Sequence, residues 1–63
     1  MKKLTKERKN KNMSISDVSF ELRIHPSLIG KFENGTAKPY KPSQEKLSDF
    51  FKLPIDELLK EVE

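Results

Sequence analysis

The 63-residue sequence predicts an all-α fold, a compact bundle of about five short helices. Three observations carry that prediction. No segment alternates apolar and polar residues with the period of two that a half-buried strand requires. Apolar residues recur instead at helical spacing, as in Val18 and Leu22, Ile29 and Phe32, and Leu47, Phe50 and Phe51. Residues that start and stop helices punctuate those stretches: a serine three before an aspartate, a proline opening an apolar run, and a glycine closing it.

The first helix covers roughly residues 2–11, with Leu4 as its main apolar anchor and Arg8 one turn later. "NMSISDV" then forms a helix start. Ser14 accepts from the backbone N–H of Asp17, whose carboxylate reaches back to the N–H of Ser14, while Met13 and Val18 flank the pair as a hydrophobic staple. The second helix therefore runs from Ile15 to Leu22. A third opens at Pro26, whose fixed φ and missing N–H suit a first helical position. Ile24 and Ile29 are spaced as a second staple, Ile29 and Phe32 form the buried stripe, and Gly35 supplies the left-handed stop. "TAKPYKP" reads as a loop, because Pro39 and Pro42 leave it few regular hydrogen bonds. Ser43 is placed to cap a fourth helix. "LPIDELLKEV" is a fifth, with Asp56 and Glu57 in the first turn, where the helix dipole favours acids. Leu53, Ile55, Leu58, Leu59 and Val62 complete the core.

This length holds one domain, residues 1–63, which buries only ~60% of the surface its unfolded chain exposes. There is no cysteine, so neither a disulfide nor a thiolate metal site supplements the core. "MKKLTKERKNKN" has no apolar stretch behind its basic start, and no run approaches the ~20 apolar residues of a membrane span. The expectation is a soluble, cytoplasmic protein with no membrane partner. The formal charge is +3, unevenly spread. Residues 1–12 carry six basic side chains against Glu7, a net of +5, and residues 54–63 carry four acids against Lys60, a net of −3. A basic end of this kind is either a solvated face or a means of steering toward phosphates or an acidic protein.

Converging reactive groups are missing from the sequence. His25 is the single histidine, two residues from Ser27, and its place just before a helix suits a capping role. The two glycines, Gly30 and Gly35, make no phosphate-binding loop. Asp56, Glu57 and Glu61 suit a solvated terminal helix. Catalysis, cofactors and metal binding are therefore not expected. The informative spacing runs from Ser14 to Gly35: two short helices, a turn of about three residues, and a closing "FENG". That is the layout of a helix-turn-helix unit, whose first helix crosses the nucleic-acid backbone and whose second enters the major groove.

The residues in that layout resemble the phage Cro/repressor (Xre-type) family. "MSISDVSFELRI" matches the first motif helix and turn, "SLIGKFENG" the recognition helix, and "LSDFFKLPIDELL" the closing helices, so the likeness spans Leu4 to Leu59. The resemblance implies a five-helix bundle of the lambda-repressor-like type that binds double-stranded operator DNA, usually as a homodimer. By position it puts Ser14, Ile15 and Ser16 at a helix end facing a phosphate. It puts Pro26, Ser27, Gly30 and Lys31 on the face that reads bases. Asn34, Lys38, Tyr40 and Lys41 fall in the loop that grips the neighbouring backbone, where lysine and asparagine suit phosphate contacts.

The departures point to a second expectation. Ile15 stands where the family often has a glutamine, and Arg23 replaces the glycine common in the turn. Base readers are typically Arg, Asn or Gln, yet here only Ser27 and Lys31 offer side-chain hydrogen bonds among Pro26, Ser27, Leu28, Gly30 and Lys31. Phe20 occupies a place that is usually polar. Ile15, Phe20, Pro26 and Leu28 therefore read as an apolar patch, and an antirepressor gripping a partner repressor protein is the alternative to a DNA reader.

Overall fold

In the computed structural model, which describes residues 1–62, α1 spans Lys3–Asn10, α2 Ile15–Leu22, α3 Pro26–Asn34, α4 Lys41–Phe51 and α5 Ile55–Leu58. Local chemistry sets most of these limits. The capping box at α2 is complete, with Ser14 Oγ accepting from Asp17 N–H at 3.0 Å and Asp17 Oδ2 accepting from Ser14 N–H at 2.9 Å. Pro26 opens α3, and Gly35 closes it at φ 82° with its N–H donating to Lys31 O.

The ends of α2 and α4 share one device in place of a glycine. Arg23 (φ 56°) and Lys52 (φ 61°) are both left-handed, and their N–H groups donate to the carbonyls of Ser19 and Ser48. Each of these serines also donates its hydroxyl past the turn, Ser19 to Ile24 O and Ser48 to Leu53 O at 2.6 Å. A non-glycine residue in this conformation costs about 1–2 kcal/mol. The added serine bonds offset part of that cost.

Two boundaries differ from expectation. Helix α4 starts at Lys41, so Lys41 and Pro42 are helical and Ser43 is its third residue, not its cap. Pro42 fits the first turn, where no N–H is needed, and the N-cap Tyr40 makes no side-chain bond. Helix α5 is four residues long and does not run on through residues 59–62. There the chain pairs instead with its own beginning. Lys3 N–H donates to Lys60 O at 2.8 Å, Val62 N–H to Met1 O at 2.7 Å, and an isolated antiparallel bridge joins Lys2 and Glu61. Hydrogen bonds from Lys2 and the N-terminal ammonium hold the exposed Glu61 carboxyl below the usual carboxylate range. These backbone bonds reach across almost the whole chain, which no local pattern signals.

The core gathers Leu4, Val18, Ile24, Ile29, Phe32, Leu47, Phe51 and Leu58 from all five helices and the turn. Met13, Ile15, Leu22, Phe50, Leu53 and Ile55 pack around it, half-buried. Phe50 meets Phe51 edge-on, 5.0 Å between centroids, and Lys11 Nζ lies 5.2 Å from the Phe50 ring centroid. Helix α1 contributes a single buried apolar residue, Leu4. Its second tie is ionic. Arg8 Nε and Nη2 donate to the two carboxylate oxygens of Glu33 on α3 at 2.7 and 3.0 Å, Arg8 Nη1 donates to Met13 O at 2.9 Å, and Thr5 Oγ1 donates to Glu33 Oε1 at 3.0 Å.

Candidate nucleic-acid interface

Helices α2 and α3 form the most extensive helix–helix contact. The three-residue turn Arg23–His25 joins them, and the left-handed Arg23 redirects the chain while Ile24 plugs into the core. With Ile29 and Phe32 buried, the opposite side of α3 carries Ser27, Gly30, Lys31 and Asn34 at positions i, i+3, i+4 and i+7, one helical stripe. Ser27, Lys31 and Asn34 are exposed on it, and Pro26 and Leu28 stand exposed beside it.

The glycine in this stripe has no packing reason within the chain, since a Cβ built at Gly30 meets nothing within 4 Å. A mid-helix glycine costs roughly 0.5–1 kcal/mol relative to alanine. Gly30→Ala is therefore expected to raise stability by about that amount, a gain of a few degrees in Tm for a domain of this size. Thermal unfolding followed by circular dichroism measures it, and an unchanged or lowered Tm contradicts the open space at this position.

Several side chains of the stripe and its surroundings are partly engaged. Asn34 Oδ1 accepts from Thr36 N–H at 3.0 Å and Thr36 Oγ1 at 2.7 Å, which leaves its amide NH2 free to donate outward. His25 is the N-cap of α3, its Nδ1 accepting from Ser27 N–H at 3.2 Å, and Ser27 Oγ lies 2.8 Å from the same nitrogen. Ser14 keeps its hydroxyl proton, although the capping carboxylate of Asp17 adds negative charge at that helix end. Lys31, Lys38 and Lys41 are exposed, and none is in an ion pair among the described residues. Tyr40 is 86% exposed. Of the four residues expected in the loop, Lys38 and Tyr40 lie between the helices, whereas Asn34 ends α3 and Lys41 begins α4.

Of the apolar residues Ile15, Phe20, Pro26 and Leu28, the last three are exposed and Ile15 is not. Ile15 is half-buried and packs against the core, because the first residue of α2 lies on the same side as Val18 and Leu22. Phe20 is 82% exposed and borders a hollow with Ser19, Glu21 and Arg23. Leu28 is 41% exposed.

The basic N-terminal segment is also reassigned in part. Lys2 pairs with Glu61 at 3.1 Å, Lys3 with Glu7 at 3.2 Å, and Arg8 with Glu33 at 2.7 Å. The hydrogen bonds that Arg8 donates to the Glu33 carboxylate raise the pKa of its guanidinium. Arg8 and Glu33 are 25 residues apart in sequence, and no spacing pattern announces their contact. Glu33 lies between Lys31 and Asn34 along α3, so this ion pair ties α1 to the helix that carries the outer stripe.

Among the described residues, no three His, Asp or Glu side chains gather as a metal-ligand set, and no helix is long and apolar enough to cross a membrane. The sequence model of the helix-turn-helix domain family matches residues 1–63. The chain belongs to that family. No curated protein and no solved structure matches it.

Proposed function

We propose that this helix-turn-helix protein is a phage-type transcriptional regulator of the Cro/repressor kind, which binds double-stranded operator DNA and controls a genetic switch. Helix α3 enters the major groove with Lys31 and Ser27 toward the bases. Asn34, Lys38, Tyr40, Lys41 and Ser14 hold the flanking phosphates and sugars. The observation that supports this most directly is the set of three exposed lysines without acidic partners, on α3 (Lys31), in the loop behind it (Lys38) and at the head of α4 (Lys41). Phosphate contacts of this kind supply affinity and register. Two copies on a two-fold operator would read half-sites about one helical turn apart. Such a regulator works in the cytoplasm, beside its DNA, and needs no cofactor.

Fluorescence anisotropy with duplexes from the region upstream of its own gene tests the proposal. Specific affinity is expected to fall steeply between about 50 and 200 mM salt. Lys31→Ala and Lys38→Ala should each weaken binding and reduce the salt slope by about one where the lysine contacts a phosphate. Binding that ignores salt, or that both variants leave intact, contradicts it.

The exposure of Phe20 favours a second reading, in which the protein is an antirepressor that grips a partner repressor. Large aromatic side chains are common energetic anchors of protein interfaces, and Phe20 makes no contribution to the core. Leu28 and Pro26 would add to this contact from α3. Under this reading, Phe20→Ser and Leu28→Ser abolish a stable complex with the repressor while the helical circular dichroism signal is unchanged. Retention of that complex by both variants excludes it.

A further inference from the structure

The hydrogen bonds at the head of α3 determine which way the hydroxyl of Ser27 faces chemically. A backbone N–H only donates, so the N–H of Ser27, directed at His25 Nδ1 from 3.2 Å, requires an unprotonated Nδ1. The tautomer assigned from that bond carries its proton on Nε2. Ser27 Oγ lies 2.8 Å from the same Nδ1, and the nitrogen, having no proton to give, makes the hydroxyl the donor. A free serine hydroxyl both donates and accepts and so discriminates poorly among bases. Here the single proton is turned back toward His25, and only the lone pairs of Oγ remain for a partner.

We infer that His25 holds Ser27 as a hydrogen-bond acceptor, so that Ser27 selects a base presenting an exocyclic amine in the major groove. That base is adenine through N6 or cytosine through N4; guanine and thymine present only acceptors at the equivalent oxygens. The inference rests on α3 being the DNA-reading helix. Within that frame it makes Ser27 a specificity-determining residue and His25, which acts through it, a positioning residue. Ser27 is exposed at the second position of α3, on the outer stripe with Lys31, where such contacts are made.

The test is selection of bound sequences from a pool of random double-stranded DNA, run with the unmodified protein and with Ser27→Ala. The operator base pair whose preference disappears in Ser27→Ala is the one Ser27 contacts, and within that pair binding should depend on the exocyclic amine, adenine N6 or cytosine N4, and not on the partner base's carbonyl, thymine O4 or guanine O6. Replacing the adenine or cytosine with its analogue lacking the exocyclic amine is expected to weaken binding by about threefold to tenfold, the worth of one hydrogen bond. In His25→Ala the hydroxyl is free to turn, and this discrimination should collapse. His25→Asn, whose side-chain oxygen also accepts from the N–H of Ser27, should restore it, and circular dichroism confirms that each variant folds. Dependence on the partner base's O4 or O6 with none on the exocyclic amine, no position responding to Ser27→Ala, or discrimination that survives His25→Ala overturns the inference. If the unmodified protein enriches no sequence at all, direct DNA reading itself fails, a separate result.

Discussion

Glu33→Ala is expected to lower stability by about 2–4 kcal/mol, close to the range for removing one partner of a buried ion pair. The Arg8 and Glu33 side chains are only 12% and 8% exposed, so water does little to replace the lost partner. The variant strands the Arg8 guanidinium, which keeps one bond to Met13 O, and it strands the hydroxyl of Thr5. At 63 residues the whole domain has roughly 3–9 kcal/mol in reserve, so this one change removes a large share. Urea unfolding of both proteins measures the difference. Replacing both partners together, Arg8→Met with Glu33→Met, should cost less than Glu33→Ala, because no uncompensated charge remains. A loss below about 0.5 kcal/mol in Glu33→Ala would place the pair with ordinary surface bridges and remove it as an anchor of α1.

Leu4→Ala is expected to cost about 2–5 kcal/mol, the range for emptying a fully buried leucine site. Leu4 is 0% exposed and is the sole buried residue of α1, so there is no neighbouring apolar group on that helix to take over. Leu4→Met, which nearly conserves volume, should cost under about 1.5 kcal/mol. The two anchors of α1 should also be coupled. Once either is lost the helix is partly detached, and the second loss adds less than it does alone, which a double-mutant cycle of Leu4→Ala and Glu33→Ala reads directly. Strict additivity would show that α1 stays docked through other contacts.

The parts of the fold legible in the sequence are those decided within a few residues. Ser14 and Asp17, Pro26 and Gly35 set the limits of α2 and α3 through bonds to their own neighbours, and they set them where the spacing predicts. The start of α4 lies ahead of Ser43 because, although a serine before an apolar run suggests a cap, Pro42 is equally at home in a first turn and the helix begins at Lys41. The end of α5 and the Arg8–Glu33 pair depend on partners roughly 60 and 25 residues away, and chain order carries no mark of either. Ile15 illustrates the ambiguity of a first helical residue, exposed by family analogy but half-buried in fact. For the candidate site, the resemblance puts Ser27 and Lys31 on one face of α3, but it puts Asn34 in the following loop, whereas Asn34 is the last residue of α3. The orientation of the Ser27 hydroxyl is not legible in the sequence, because it depends on an imidazole nitrogen that only three-dimensional geometry brings within reach.

The pairing of Met1–Lys3 with Lys60–Val62 has a kinetic consequence. Contacts this distant in sequence close the longest loop in the molecule, so they carry the largest entropic cost and repay it last. Little apolar surface secures α1 against the rest, and the C-terminal segment it pairs with is half-exposed. These two ends therefore form one opening unit, which swings free at lower energy than global unfolding. Their amide protons are expected to exchange with solvent together, ahead of those in α2, α3 and α4, so that α3 keeps its shape while the ends of the chain come apart.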